Sequence, residues 1–135
     1  MINVLGLDHL VLRTAQPDAM IAFYGDVLGC QVERRLDDLG LIQLRAGTAL
    51  IDLVDIAGPI GREGGAAAGK EGRNLDHFCL RVEPADMAEV AASLAAHGID
   101  AGEPARRYGA EGWGQSLYIS DPDGNTVELR GPPES

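Results

Sequence analysis

The segment Leu7-Asp8-His9-Leu10-Val11-Leu12-Arg13 returns in the second half of the chain as Leu75-Asp76-His77-Phe78-Cys79-Leu80-Arg81. A repeat spaced at about half the chain length constrains the fold more than any other feature, because it implies one supersecondary unit used twice. The residues that follow keep step. Gln16-Pro17-Asp18-Ala19-Met20 opens one apolar-periodic run and Glu83-Pro84-Ala85-Asp86-Met87 opens the other, each with a proline where the first turn of a helix tolerates it. Met20, Phe23, Tyr24, Val27 and Leu28 fall on one helical face, with Gly29 as the stop; Met87, Val90, Ala91 and Leu94 do the same, with Gly98 as the stop.

After each helix the pattern turns to short β-rich runs separated by Gly, Pro and Asp. The expected strands are Gln31 to Leu36, Leu41 to Arg45 and Ala49 to Val54 in the first half, and Ile99 to Ala105, Gln115 to Ser120 and Asn125 to Arg130 in the second. Asp121-Pro122-Asp123-Gly124 reads as the turn between the last two. The fold class is therefore α+β: two β-α-β-β-β modules, residues 1–56 and 74–131, forming a cupped mixed sheet with the helices outside. The Gly- and Ala-rich stretch 57–73 reads as a linker or mobile lid, and 132–135 as a tail.

Strand alternation sorts the polar residues by face. Leu10 and Leu12 lie opposite His9, and Phe78 and Leu80 opposite His77. Val127 and Leu129 point to the helices and leave Thr126, Glu128 and Arg130 inward; by the same phase Asp52 is the counterpart of Glu128. The inward surface thus collects His9, Asp52, His77 and Glu128, with Gln43, Arg45, Cys79 and Arg81 as neighbours. Two imidazoles with one or two carboxylates suit a divalent first-row metal, and open coordination positions suit catalysis. Asp8 and Asp76 alternate away from the histidines and are assigned a structural role. His97, just before Gly98, reads as a helix-end cation. Trp113, like Met20, Phe23 and Tyr24, reads as packing.

Composition narrows the partners. Eleven basic against 21 acidic residues give a net charge of -10, which disfavours nucleic acid and anionic membrane surfaces. No basic leader or long apolar span occurs, so a cytoplasmic protein is expected. Cys30 and Cys79 have no metal-motif spacing and are expected to be reduced thiols.

The chain resembles the vicinal-oxygen-chelate superfamily of glyoxalase I, extradiol dioxygenases and bleomycin-resistance proteins. The resemblance rests on His9 with Ala22-Phe23-Tyr24-Gly25-Asp26-Val27-Leu28-Gly29, on His77, and on Leu117-Tyr118-Ile119-Ser120-Asp121-Pro122-Asp123-Gly124-Asn125-Thr126-Val127-Glu128. It implies metal ligation by His9, His77 and Glu128 with Asp52 at the fourth place, the ion being Ni, Zn, Mn, Co or Fe(II). It further implies glyoxalase-like lyase or isomerase chemistry on a small molecule with vicinal oxygens, with Glu128 as ligand and candidate base and Asp52 in reserve. Tyr118 is then a hydrogen-bond donor, Gln43, Arg45 and Arg81 bind substrate, and the protein is a homodimer. Two departures disfavour other branches: Gly109 to Gly114 lacks the histidine of ring-cleaving dioxygenases, and Val11 stands where fosfomycin transferases have threonine. A metal-free small-molecule-binding or antibiotic-resistance protein is the alternative, and an Fe(II) dioxygenase the second.

Overall fold

A computed structural model describes residues 1–135. The chain divides into two compact units, Met1–Glu71 and Gly72–Ser135, and each is one β-α-β-β-β module. In the first, β1 (His9–Thr14), β2 (Val32–Leu36), β3 (Leu41–Ala46) and β4 (Ala49–Asp55) form a sheet of order β1-β4-β3-β2; in the second, β5 (His77–Arg81), β6 (Ala105–Gly109), β7 (Gly112–Ser120) and β8 (Thr126–Pro133) repeat it as β5-β8-β7-β6. β1 runs parallel to β4 and β5 parallel to β8, while the other pairs are antiparallel. The first and last strands are parallel neighbours because a helix crosses between β1 and the following hairpins.

That first helix starts as α1 (Pro17–Ile21) and continues as a π-helical stretch, Ala22–Val27. Met20, Phe23 and Tyr24 are buried, and the two rings meet edge to face at 5.0 Å. Gly29 follows with φ 76°, the left-handed stop read from the sequence. These side chains lie with Leu12, Leu44, Ile51 and Leu53 in the buried core.

The second helix differs from expectation at its start. α2 spans Met87–Ala95, and its cap is Asp86, whose carboxylate accepts a hydrogen bond from the Ala88 N–H. Pro84 lies ahead of the helix, so an N-cap carboxylate rather than proline sets this end. Met87, Val90 and Leu94 are buried, as are Leu117, Ile119, Val127 and Leu129 of the sheet.

The largest correction concerns the strand expected at Ile99 to Ala105. Residues 99–104 are irregular, and the strand is β6, Ala105–Gly109. β7 in turn begins at Gly112, so Ala110 and Glu111 form a tight hairpin loop between the Gly109↔Gly112 pair. The reason is Arg130. Its buried guanidinium donates to the carbonyls of Gly112 (2.8 Å) and Arg107 (3.4 Å), and a Cβ at Gly109 or Gly114 would collide with it. Gly109 and Gly114 thus make room for an arginine under a hairpin.

The remaining boundaries follow from side-chain anchors. β8 runs on to Pro133, the Glu134 N–H reaches the Trp113 carbonyl at 2.7 Å, and Arg106 grips the Glu134 carboxylate, so 132–135 is bound rather than loose. Within 57–73, a 3-10 turn forms at Gly61–Gly64, and the Arg13 guanidinium donates to the carbonyls of Gly61, Gly65 and Ala66. Arg73 donates to Asn125 Oδ1 and to the Asp123 carbonyl. The turn at Asp121 to Gly124 forms as read, with the buried Asp121 carboxylate accepting from the N–H groups of Asp123 and Asn125 and from the Asn125 amide. No helix is long and apolar enough to cross a membrane.

Candidate functional site

Each histidine is the first residue of its strand, so the aspartate before it is not bound by strand alternation. Both aspartates use that freedom. Asp8 Oδ1 lies 2.7 Å from His9 Nδ1, and Asp76 Oδ2 lies 2.7 Å from His77 Nδ1. This corrects their assignment as residues facing away. A carboxylate on Nδ1 fixes the tautomer that presents Nε2 with a lone pair and makes the ring more basic. The pKa of each imidazole is raised, chiefly by that aspartate, against the opposing effect of desolvation.

In the second unit Nε2 of His77 meets a carboxylate. Glu128 Oε1 is 3.2 Å away, while Oε2 accepts a 2.6 Å hydrogen bond from the fully buried Ser116 hydroxyl. Burial alone would push the Glu128 carboxyl up. Hydrogen bonds from Ser116, Tyr118 and Cys79, together with His77, outweigh it and hold the group below the ordinary carboxylate range. The register explains the convergence: Glu128 pairs with Cys79 on one side and Tyr118 on the other. The Cys79 thiol is pushed up to about 12, first by desolvation around its sulfur, although the residue as a whole is exposed, and then by the Glu128 charge. Both cysteines are free thiols.

The first unit repeats this arrangement with one difference. Asp52, paired in register with Val11 and Gln43, is buried, and both its oxygens accept from Gln43 Nε2 at 3.3 and 3.2 Å. It forms no ion pair with His9. The aspartate is one methylene shorter than Glu128, and its amide partner keeps it at the sheet. Within neither unit do three or more His, Cys, Asp or Glu side chains gather as a metal cluster.

All three expected substrate-binding residues are otherwise engaged, Gln43 by Asp52. Arg45 makes a bidentate pair with Glu33, both bonds 2.9 Å, and Arg81 Nε donates to Glu111 at 3.0 Å. Tyr118 stands beside the histidine, its ring 5.9 Å from that of His77, and its hydroxyl accepts from Arg107 Nε at 3.2 Å. Ser116 and Arg107 escaped the sequence reading. Strand phase from Glu128 through the Tyr118 pairing would have exposed Ser116; Arg107 required the correct placement of β6.

One donor pair, His77 Nε2 and Glu128 Oε1, has a spacing compatible with two ligands of one metal ion. Metal–nitrogen and metal–oxygen bonds of about 2.0–2.2 Å put adjacent ligands about 3 Å apart, close to the observed separation of His77 Nε2 and Glu128 Oε1. The sequence model of the Glyoxalase/Bleomycin resistance protein/Dioxygenase superfamily matches residues 6–129. The chain belongs to that superfamily. Solved structures extend the likeness over almost the whole chain. An integron cassette protein from the mobile metagenome of V. cholerae is 26% identical, with a TM-score of 0.77 over 97% of this chain and 98% of that one. A virulence protein of Salmonella typhimurium is 27% identical, with a TM-score of 0.77 over 96% and 98%. Lactoylglutathione lyase from Agrobacterium tumefaciens, 24% identical with a TM-score of 0.70 over 96% and 95%, shares the fold. Among curated proteins no sequence matches.

Proposed function

We propose that this superfamily member is a divalent-metal-dependent enzyme, a glyoxalase-like lyase or isomerase acting on a small substrate with vicinal oxygens. The observation that carries the reading is the His77–Glu128 pair: a nitrogen and an oxygen 3.2 Å apart, with the far side of the imidazole held by Asp76 and the far carboxylate oxygen held by Ser116. His9, with Asp8 behind it, is the counterpart in the first unit. In this reading the metal donors are His77 and Glu128 in the second unit and His9 in the first, with Asp52 at the place equivalent to Glu128; Ni, Zn, Mn, Co and Fe(II) all suit such donors. When bound, the ion supplies Lewis acidity at the substrate oxygens.

The chain's own residues supply the rest. Glu128, kept ionised by its hydrogen bonds, takes a proton from carbon beside the substrate carbonyl, and Asp52 is the reserve base. The Tyr118 hydroxyl, whose single proton points toward Glu128 in the free protein, turns it to a substrate oxygen when substrate binds. The working form in this reading is a cytoplasmic homodimer, checked by light scattering on the purified protein.

The test is metal analysis of protein prepared without chelator, followed by titration with Ni, Zn, Mn and Fe(II). Stoichiometric uptake that is lost in His77→Ala supports the reading; absence of both bound metal and tight uptake overturns it. A metal-free small-molecule binder is the second reading, favoured by the commitment of Asp52 to Gln43. It requires His77→Ala to keep full ligand affinity.

A further inference from the structure

The chain has ten arginines, and four of them, Arg35, Arg45, Arg81 and Arg106, pair with a carboxylate. Arg13, Arg73 and Arg130 instead donate to carbonyl or amide oxygens around their turns. Arg107 also lacks a carboxylate, and its side chain is exposed on the strand beside the candidate site. Its Nε donates to the Tyr118 hydroxyl at 3.2 Å and its Nη1 to the Arg106 carbonyl at 3.0 Å, both neutral acceptors. The Arg107 guanidinium carbon lies 5.8 Å from the centre of the Tyr118 ring, and that ring lies 5.9 Å from the His77 ring. Arg130, wedged beneath the hairpin, donates to the Arg107 carbonyl and helps fix its backbone. A positioned cation with neutral partners thus stands one tyrosine away from the His77–Glu128 pair.

We propose that Arg107 anchors a carboxylate at the far end of the substrate, so that the substrate class is a small acid whose carboxylate lies distal to its vicinal oxygens. This rests on the proposed function for what happens at His77 and Glu128, but the anchoring itself needs only the second unit. A planar guanidinium favours a carboxylate over a neutral polar group because it can offer two parallel N–H donors to the two oxygens. The Tyr118 hydroxyl, accepting from Arg107 and donating toward Glu128, links the anchor to the reacting end.

The experiment compares 2-oxoglutarate with 2-oxopentanoate, which has the same chain length and vicinal oxygens but no distal carboxylate. Calorimetric titrations are run on wild-type protein and on Arg107→Gln, each metal-free and after Ni addition. The expected result is about tenfold tighter binding of 2-oxoglutarate to wild type, the scale of one charge-assisted contact, and loss of that preference in Arg107→Gln. Arg107→Lys, which keeps the charge without the fork, retains part of it and serves if the glutamine variant fails to fold. The inference is overturned if wild type does not distinguish the two acids, or if Arg107→Gln keeps the preference. Failure of wild-type protein to take up metal overturns the proposed function separately, since the metal-free titrations still read the anchor.

Discussion

Replacing Ser116 with alanine removes one short hydrogen bond from a buried carboxylate and nothing else of comparable size. Ser116 is fully buried, Glu128 is 6% exposed, and their oxygens are 2.6 Å apart. A hydrogen bond to a charged group contributes about 1.5–3 kcal/mol, and leaving the acceptor buried without it costs a similar amount. The expected loss is therefore about 2 kcal/mol. For a chain of this size that lowers Tm by at least about 4 °C. Urea unfolding at neutral pH measures it. A second expectation follows from the charge: in a Glu128→Gln background the same serine substitution costs about 1 kcal/mol or less, because a neutral amide is the weaker acceptor. The double-mutant cycle should thus give a coupling of about 1 kcal/mol. A loss below about 0.5 kcal/mol for Ser116→Ala, or equal losses in both backgrounds, would refute the view that Ser116 holds Glu128 ionised.

Other outcomes follow from the same geometry. Asp76→Asn should weaken Ni or Zn uptake by about tenfold, the low end for a group that orients a ligand, since Asp76 is itself solvent-exposed; competition with a chelating dye measures it, and unchanged affinity counts against the orienting role. Gly61→Ala should destabilise the first unit by about 1–3 kcal/mol, because a Cβ there would lie 2.0 Å from the Asp55 carbonyl oxygen; denaturant unfolding checks it. Arg13→Ala should open the segment around Gly61 to Ala66 to limited proteolysis, and an unchanged digestion pattern would show that the arginine does not tether it. Cys30 is buried and its thiol is raised by desolvation, so iodoacetamide at neutral pH should label it slowly in folded protein and quickly in urea.

The repeat, the two helices and the strands around Glu128 were legible because each rests on local periodicity. Leu10 and Leu12, or Val127 and Leu129, announce the buried face within a few residues, and the glutamate between the latter two follows from alternation alone. Pairing across strands is not local. Nothing in the sequence around Arg107 shows that Arg130 will slide beneath Gly109 and Gly114, so a strand was expected at 99–105 instead of 105–109. Likewise, Arg45 and Arg81 have the right charge and phase for substrate, yet Glu33 and Glu111 engage them across the sheet.

By itself, then, the sequence determined a duplicated β-α-β-β-β unit and which residues face the polar side, since strand and helix periods are properties of consecutive residues. Tertiary structure decided what those residues do for one another. It turned Asp8 and Asp76 back onto their histidines, seated Glu128 between Ser116 and His77, held Asp52 on Gln43, and left Arg107 without a carboxylate. The physical reason is that hydrogen bonds and ion pairs are settled by distances of about 3 Å between strands, and those distances depend on register and on side-chain length, which no single strand specifies.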